Sequence, residues 1–195
     1  MQVQNSPIPG ALIELFHYRW AALVLAELHT SAGAKFVTLH RRLGISRDSL
    51  RRSLEALMQR GLAAHNPGYG HPMRPEYTLL PAGIAIAPPC ARLLVVVKSL
   101  AVEEIALRKW SLPTIAAIAF GYERFAAIRA ALPGVTPRAL AGALKDLEAA
   151  ELAGRDIVCT YPPQALYRLR QRGRQIASLL EDLITALNER PAPPG

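Results

Sequence analysis

Residues 44–57 read GISRDSLRRSLEAL, and residues 134–147 read GVTPRALAGALKDL. Both stretches open on a glycine-containing turn, place a hydroxyl residue (Ser46, Thr136) at a helix N-cap, and continue with leucines at helical spacing. Leu50, Leu54 and Leu57 form one apolar stripe, repeated by Leu140, Leu144 and Leu147. Pro137 occupies the favoured first helical position, and Gly61 ends the first helix. The arginines are not repeated: Arg51 and Arg52 are replaced by Ala141 and Gly142, and Ser49 by Ala139.

The correspondence extends over most of the chain. At a shift of 90, Trp20 falls on Trp110, Leu62 on Leu152, Pro72 on Pro162, Tyr77 on Tyr167, Leu79 on Leu169 and Gly83 on Gly173. Phe36 and Phe125 align at a shift of 89, and the offset is recovered where LGIS becomes LPGVT. A gap that opens and closes in loops while the helices stay in phase marks a duplicated domain.

Each copy reads as a helix ending near the tryptophan, a second apolar helix, and a short helix such as Phe36 to Leu43. The turn, the capped helix and an alternating segment (Glu76 to Leu79; Leu166 to Leu169) follow, read as a hairpin, and then a closing helix. That order is a winged helix-turn-helix. The expected fold is mainly α with small β-hairpin wings (α+β), as two tandem modules arranged as a pseudo-dimer. The expected division is 1–89 for the first module, 90–107 for a connecting helix after a break at Pro88-Pro89, and 108–195 for the second.

With these motifs in place, both copies resemble the HxlR-type transcriptional regulators, a winged-helix branch near MarR. Copy two carries the pattern as Arg108-Lys109-Trp110, Arg124-Phe125, Val135-Thr136, the three leucines, Pro162, Tyr167-Arg168-Leu169 and Gly173. Copy one carries it as Arg19-Trp20, Lys35-Phe36, Ile45-Ser46, its three leucines, Pro72, Tyr77-Thr78-Leu79 and Gly83. The resemblance implies double-stranded DNA as partner. Because family members resemble single-module homodimers, it also implies that the two fused copies pair within one chain.

The charge agrees with a polyanionic partner. The chain of 195 residues carries 23 Lys+Arg against 15 Asp+Glu, a formal +8, and only Lys35, Lys98, Lys109 and Lys145 of the cations are lysine. Arginine suits bidentate contact with phosphate and guanine. The balance is uneven: residues 1–98 hold 11 cations and 5 acids, residues 99–195 hold 12 and 10.

In helix-turn-helix geometry the N-terminal part of the second helix meets base edges, and the preceding helix crosses the backbone. The expected DNA contacts are therefore Ser46, Arg47, Ser49, Arg51 and Arg52 on the first reading helix. Lys35, Arg41 and Arg42 would hold phosphate, and His71 and Arg74 would act from the wing. In copy two the candidates are Arg138, Lys145 and Arg168. Arg168 heads a row with Arg170, Arg172 and Arg174 that would share one side of a strand. A solvated charged face stands beside this reading, with Asp48–Arg52 and Arg51–Glu55 at ion-pair spacing. The first module is expected to be the main reader.

Other classes find less support. The five histidines lack metal-ligand spacing, no phosphate loop or nucleophile elbow is present, and no catalytic residue, metal or cofactor is expected. Cys90 and Cys159 form no CxxC pair and read as structural, buried thiols in a reducing, cytoplasmic setting. No membrane partner is expected, since the apolar run Leu93 to Val97 is bounded by Arg92 and Lys98. The sequence has no signature for a small-molecule effector and leaves further self-association open. The alternative is a tandem winged-helix scaffold that grips proteins of the chromosome or replication machinery, which the depleted second helix would suit.

Overall fold

The computed structural model describes residues 8–66, 76–159 and 164–191. The first copy comprises α1 (Gly10–Leu15), α2 (Ala21–Thr30), α3 (Phe36–Leu43), α4 (Arg47–Gln59), β1 (Ala63–His65), β2 (Tyr77–Leu79) and α5 (Pro81–Ser99). The second comprises α6 (Glu103–Ala106), α7 (Ser111–Ala119), α8 (Phe125–Ala131), α9 (Pro137–Ala149), β3 (Ala153–Val158), β4 (Gln164–Leu169) and α10 (Gln171–Glu189). α9 and α10 begin and end 90 residues after α4 and α5, so the repeat in sequence is a repeat in structure.

The decisive turn forms the same way twice. Gly44 (φ 63°) and Gly134 (φ 80°) adopt the left-handed conformation that glycine takes without steric cost. Ile45 and Val135 plug the core behind the turn. The Ser46 hydroxyl accepts from the Ser49 amide and the Thr136 hydroxyl from the Ala139 amide, each at 3.2 Å. A cap of this kind contributes about 1 kcal/mol. Leu50, Leu54, Leu57 and their counterparts Leu140, Leu144 and Leu147 are all buried, each adding roughly 1.5–3 kcal/mol of transfer free energy.

Each wing is an antiparallel pair, with Ala63 opposite Leu79 and Ala153 opposite Leu169. A bridge from the preceding loop extends it: the Tyr77 amide donates to the Ala34 carbonyl at 2.9 Å, and the Tyr167 amide to the Glu123 carbonyl at 2.8 Å. Behind each wing a glycine lets the closing helix touch the backbone. A Cβ on Gly83 would lie 2.0 Å from the Leu62 carbonyl oxygen, and one on Gly173 would lie 2.0 Å from that of Leu152.

The break expected at Pro88-Pro89 does not occur. α5 runs through both prolines to Ser99, so the segment read as a connecting helix over 90–107 is instead the end of α5, a turn and the separate helix α6. The carbonyls deprived of partners by the two prolines belong to Ile84 and Ala85, both exposed, where water can take the place of the missing amides. The junction between copies is the turn at 100–102, with Ala101 at φ 53°. α5 packs on α2 and α10, and α10 packs on α7, so the two closing helices form the seam between the copies. By length and composition the 19 residues of α5 would suffice to cross a membrane; here Ile86, Cys90, Leu93 and Val97 are buried in the seam and its surroundings.

Candidate nucleic-acid interface

α4 turns its leucines inward and thereby turns Arg47, Asp48, Arg51, Arg52 and Glu55 out to solvent. Arg51 donates to Asp48 at 2.9 Å, an i, i+3 pair in place of the i, i+4 pairs that the spacing suggested. Both partners are well exposed, so the pair contributes under about 1 kcal/mol and is readily exchanged for a phosphate. Arg47 and Arg52 have no ion-pair partner among the described residues. Ser46 and Ser49 are committed to the cap, since the Ser46 hydroxyl also donates to the Ser49 hydroxyl at 2.9 Å.

On α3, Arg41 is exposed, while Arg42 is held by Glu27 of α2 at 2.7 Å. Lys35 stands exposed at the N-cap of α3, beside the Phe36 amide, which donates to the Glu76 carboxylate at 3.0 Å. The structure thus brings Lys35 at the N-cap of α3, Arg41 on α3 and the arginines of α4 onto one helix-turn-helix unit. His71 and Arg74 lie outside the described residues.

The second copy is less heavily charged on the corresponding helix, α9. Arg138 and Lys145 are exposed and unpaired among the described residues, and Ala141 and Gly142 lie beside them on the solvent face. Arg168 is engaged by two carboxylates, Glu123 at 3.1 Å and Asp156 at 3.6 Å. The expected arginine row on a strand is corrected: β4 ends at Leu169, so Arg172 and Arg174 belong to α10. Arg172 donates to the Ala150 carbonyl at 3.0 Å and to the Leu100 carbonyl, tying the copies together, and Arg174 donates to Leu169 at 2.7 Å.

Two cations left out of the sequence-based contact set stand next to α9. Arg108 is bonded to Asp146, and the Lys109 ammonium sits 4.9 Å above the Trp110 ring. Their adjacency just before the N-terminus of α7 was the available signal. At the equivalent place in copy one, Arg19 lies 4.8 Å above Trp20 and is bound by Glu104 of the second copy at 2.6 Å. That arginine holds the Glu104 carboxyl below its ordinary range. His17, close by, is pushed down by partial burial and by the charges of Lys109 and Arg60.

Cys90 is buried, its thiol pushed up to about 12 by burial, with its sulfur 3.7 Å from the Ala22 carbonyl. Cys159 departs from the expectation of a buried thiol: it is exposed at the end of β3. Among the described residues no cluster of His, Cys, Asp and Glu could hold a metal ion.

A family model described as HxlR-like helix-turn-helix matches this chain twice, over residues 15–103 and 105–190. One similar protein is the uncharacterized HTH-type transcriptional regulator YvaP of Bacillus subtilis, 30% identical over 80 residues, covering 41% of this chain and 74% of that one. Another is an uncharacterized HTH-type transcriptional regulator of Methanothermobacter thermautotrophicus, 31% identical over 83 residues, covering 43% of this chain and 63% of that one. Among solved structures, diamide-treated YodB from B. subtilis matches at 21% identity with a TM-score of 0.39, covering 47% of this chain and 88% of that chain.

Proposed function

The chain belongs to the HxlR-like helix-turn-helix family, two modules in one polypeptide, and from that premise we propose that it is a double-stranded DNA-binding transcriptional regulator whose first module reads sequence. The observation that carries this reading is the outward row Arg47, Arg51 and Arg52 on α4, set beside Arg41 of α3. Guanidinium groups at the N-terminal half of such a helix suit contact with guanine edges and flanking phosphates. α9 offers methyl groups and a glycine at the matching positions, which suits close approach to the backbone and gives little base discrimination. The preferred site is accordingly non-palindromic, and a role on DNA requires a cytoplasmic setting.

Titration of the full chain onto duplex DNA at several salt concentrations tests this. Binding should weaken steeply with salt, with a slope near 0.9 per phosphate neutralised. Arg51→Ala with Arg52→Ala should weaken it far more than Lys145→Ala. Absence of duplex binding even at low salt would shift the reading to a protein-binding scaffold.

A further inference from the structure

One corner of the second copy is lined by residues that the first copy does not repeat. Between the turn that precedes α7 and the N-terminal half of α9 lies an open groove of about 470 Å³. Its walls carry Arg108, Lys109 and Arg138, and one carboxylate, Asp146, which is bonded to Arg108. Three cations against one anion leave the groove with an excess of two positive charges. Ser111 also lines it; it is 1% exposed, and its hydroxyl has no partner among the described residues. Gly142 lines the groove where the space is open, with nothing within 4 Å of where a Cβ would lie.

The same corner of copy one is built differently. Tyr18 replaces Arg108, Ala21 replaces Ser111, Asp48 replaces Arg138, and Arg52 replaces Gly142. Of its cations, Arg19 is paired with Glu104 and Arg51 with Asp48, while the Arg52 side chain stands where Gly142 leaves open space. The groove's lining is thus particular to the second copy and is not repeated in the first.

We propose that this groove is a seat for a phosphate group, held by Lys109 and Arg138 with Arg108 behind them. A guanidinium fork and an ammonium approaching from different elements match the several acceptor oxygens of a phosphate. In the first turn of the 13-residue α9, Pro137 has no amide hydrogen and the Ala139 amide is taken by the Thr136 cap, so the helix adds the Arg138 amide and its dipole, which favours an anion. Ala139, Gly142 and Ala143 of α9 offer no side-chain acceptor to compete with it for the cations. The phosphate has two sources, the backbone of a duplex lying along α9 or a free phosphorylated compound. The first source rests on the DNA-binding reading above; the second does not.

The test uses the full chain and the double variant Lys109→Ala/Arg138→Ala. Arg138 is exposed and Lys109 partly so, and a thermal melt comparable to that of the parent is the check that the variant folds. The backbone amide resonance of Gly142 is followed while inorganic phosphate and, separately, random-sequence duplex are added. A shift with duplex alone assigns the seat to the DNA backbone, and a shift with inorganic phosphate assigns it to a free phosphate; either should vanish in the variant. With the duplex source, the logarithmic salt slope should also fall by about one in the variant. If neither ligand moves Gly142, or the variant shifts as the parent does, the seat is overturned. Should duplex still bind through Arg51 and Arg52 in that case, the DNA reading stands without it. Should no duplex bind while inorganic phosphate moves Gly142, the DNA reading fails and the seat remains.

Discussion

Arg92 and Asp182 occupy the same position of the repeat, 90 residues apart, and face each other across the α5–α10 seam at 3.0 Å. In a symmetric homodimer a residue so placed would meet its own copy, and like charges would oppose. Fusion of the modules removes that constraint, and the seam has become electrically complementary. The pair is half exposed on both sides, so its contribution is under about 1 kcal/mol and lies more in matching the two copies than in stability.

Charge exchange tests this relationship. Arg92→Asp and Asp182→Arg should each lower the thermal midpoint at low salt by a few degrees at most, taking roughly 2–4 °C per kcal/mol. The double exchange should recover most of the loss. Calorimetry of the three variants is the measurement, and losses that simply add in the double variant would show that the two residues do not interact.

Much of this architecture is written locally. The caps at Ser46 and Thr136, the glycine turns and the leucine stripes depend on neighbours within one or two turns of helix, and the chain declares them plainly. What it does not declare depends on packing. Pro88 and Pro89 read as a break because local rules count a lost amide, whereas the freed carbonyls belong to exposed residues and α2 and α10 hold the helix by packing against it. The arginines after Arg168 read as a strand row because the ladder's end at Leu169 is set by pairing with Ala153. Within the site, the outward set on α4 followed from its wheel. The pairing of Arg42 with Glu27 and the bonding of Arg19 by Glu104 required knowing how separate elements meet.

Gly83 and Gly173 should resist substitution. Alanine at either would place a methyl carbon 2.0 Å from a backbone oxygen, forcing α5 or α10 away from the wing strand. Overpacking of this kind costs roughly 1–3 kcal/mol. Gly142→Ala is the contrasting case. It lies in a helix interior with open space at its Cβ, so stability should rise by about 1 kcal/mol. Urea unfolding at constant slope checks all three.

Acidification should destabilise the protein in two stages. The His17 pKa is lowered below its ordinary 6.5, so the folded state disfavours the imidazolium; stability is complete above that value and declines as pH falls below it. The Glu104 pKa is lowered too, by Arg19, so its contribution is present above the ordinary carboxylate range and is lost as pH falls through the depressed value. Melting midpoints from pH 8 to pH 3 should show a decline beginning near neutrality. His17→Asn should remove the upper stage and Glu104→Gln the lower. An unchanged profile in both variants would contradict these assignments.

The cysteines should differ sharply in reactivity. Cys159 is exposed, while Cys90 is buried with a thiol pushed up to about 12. Only the thiolate is an effective nucleophile. Iodoacetamide should therefore modify one thiol per native chain and two in denaturant, with mass spectrometry locating the first at Cys159. Rapid native labelling of Cys90 would mean that the seam around α5 opens far more readily than its burial implies.

Re-arming α9 tests the proposed division of labour between the modules. Ala141→Arg with Gly142→Arg would give the second reading helix the two guanidinium groups that Arg51 and Arg52 supply in the first. Both positions face solvent, so the fold should tolerate them, and loss of a mid-helix glycine should itself add stability of nearly 1 kcal/mol. Duplex affinity should rise and the salt slope steepen by about one to two. The more telling readout is the site selected from a random duplex library. The natural chain should enrich one well-defined half-site with a loosely specified flank, whereas the re-armed chain should enrich two half-sites related by an approximate twofold. If the natural chain already selects an inverted repeat with both halves equally defined, α9 reads bases without those arginines, and the asymmetry argued from α4 is wrong.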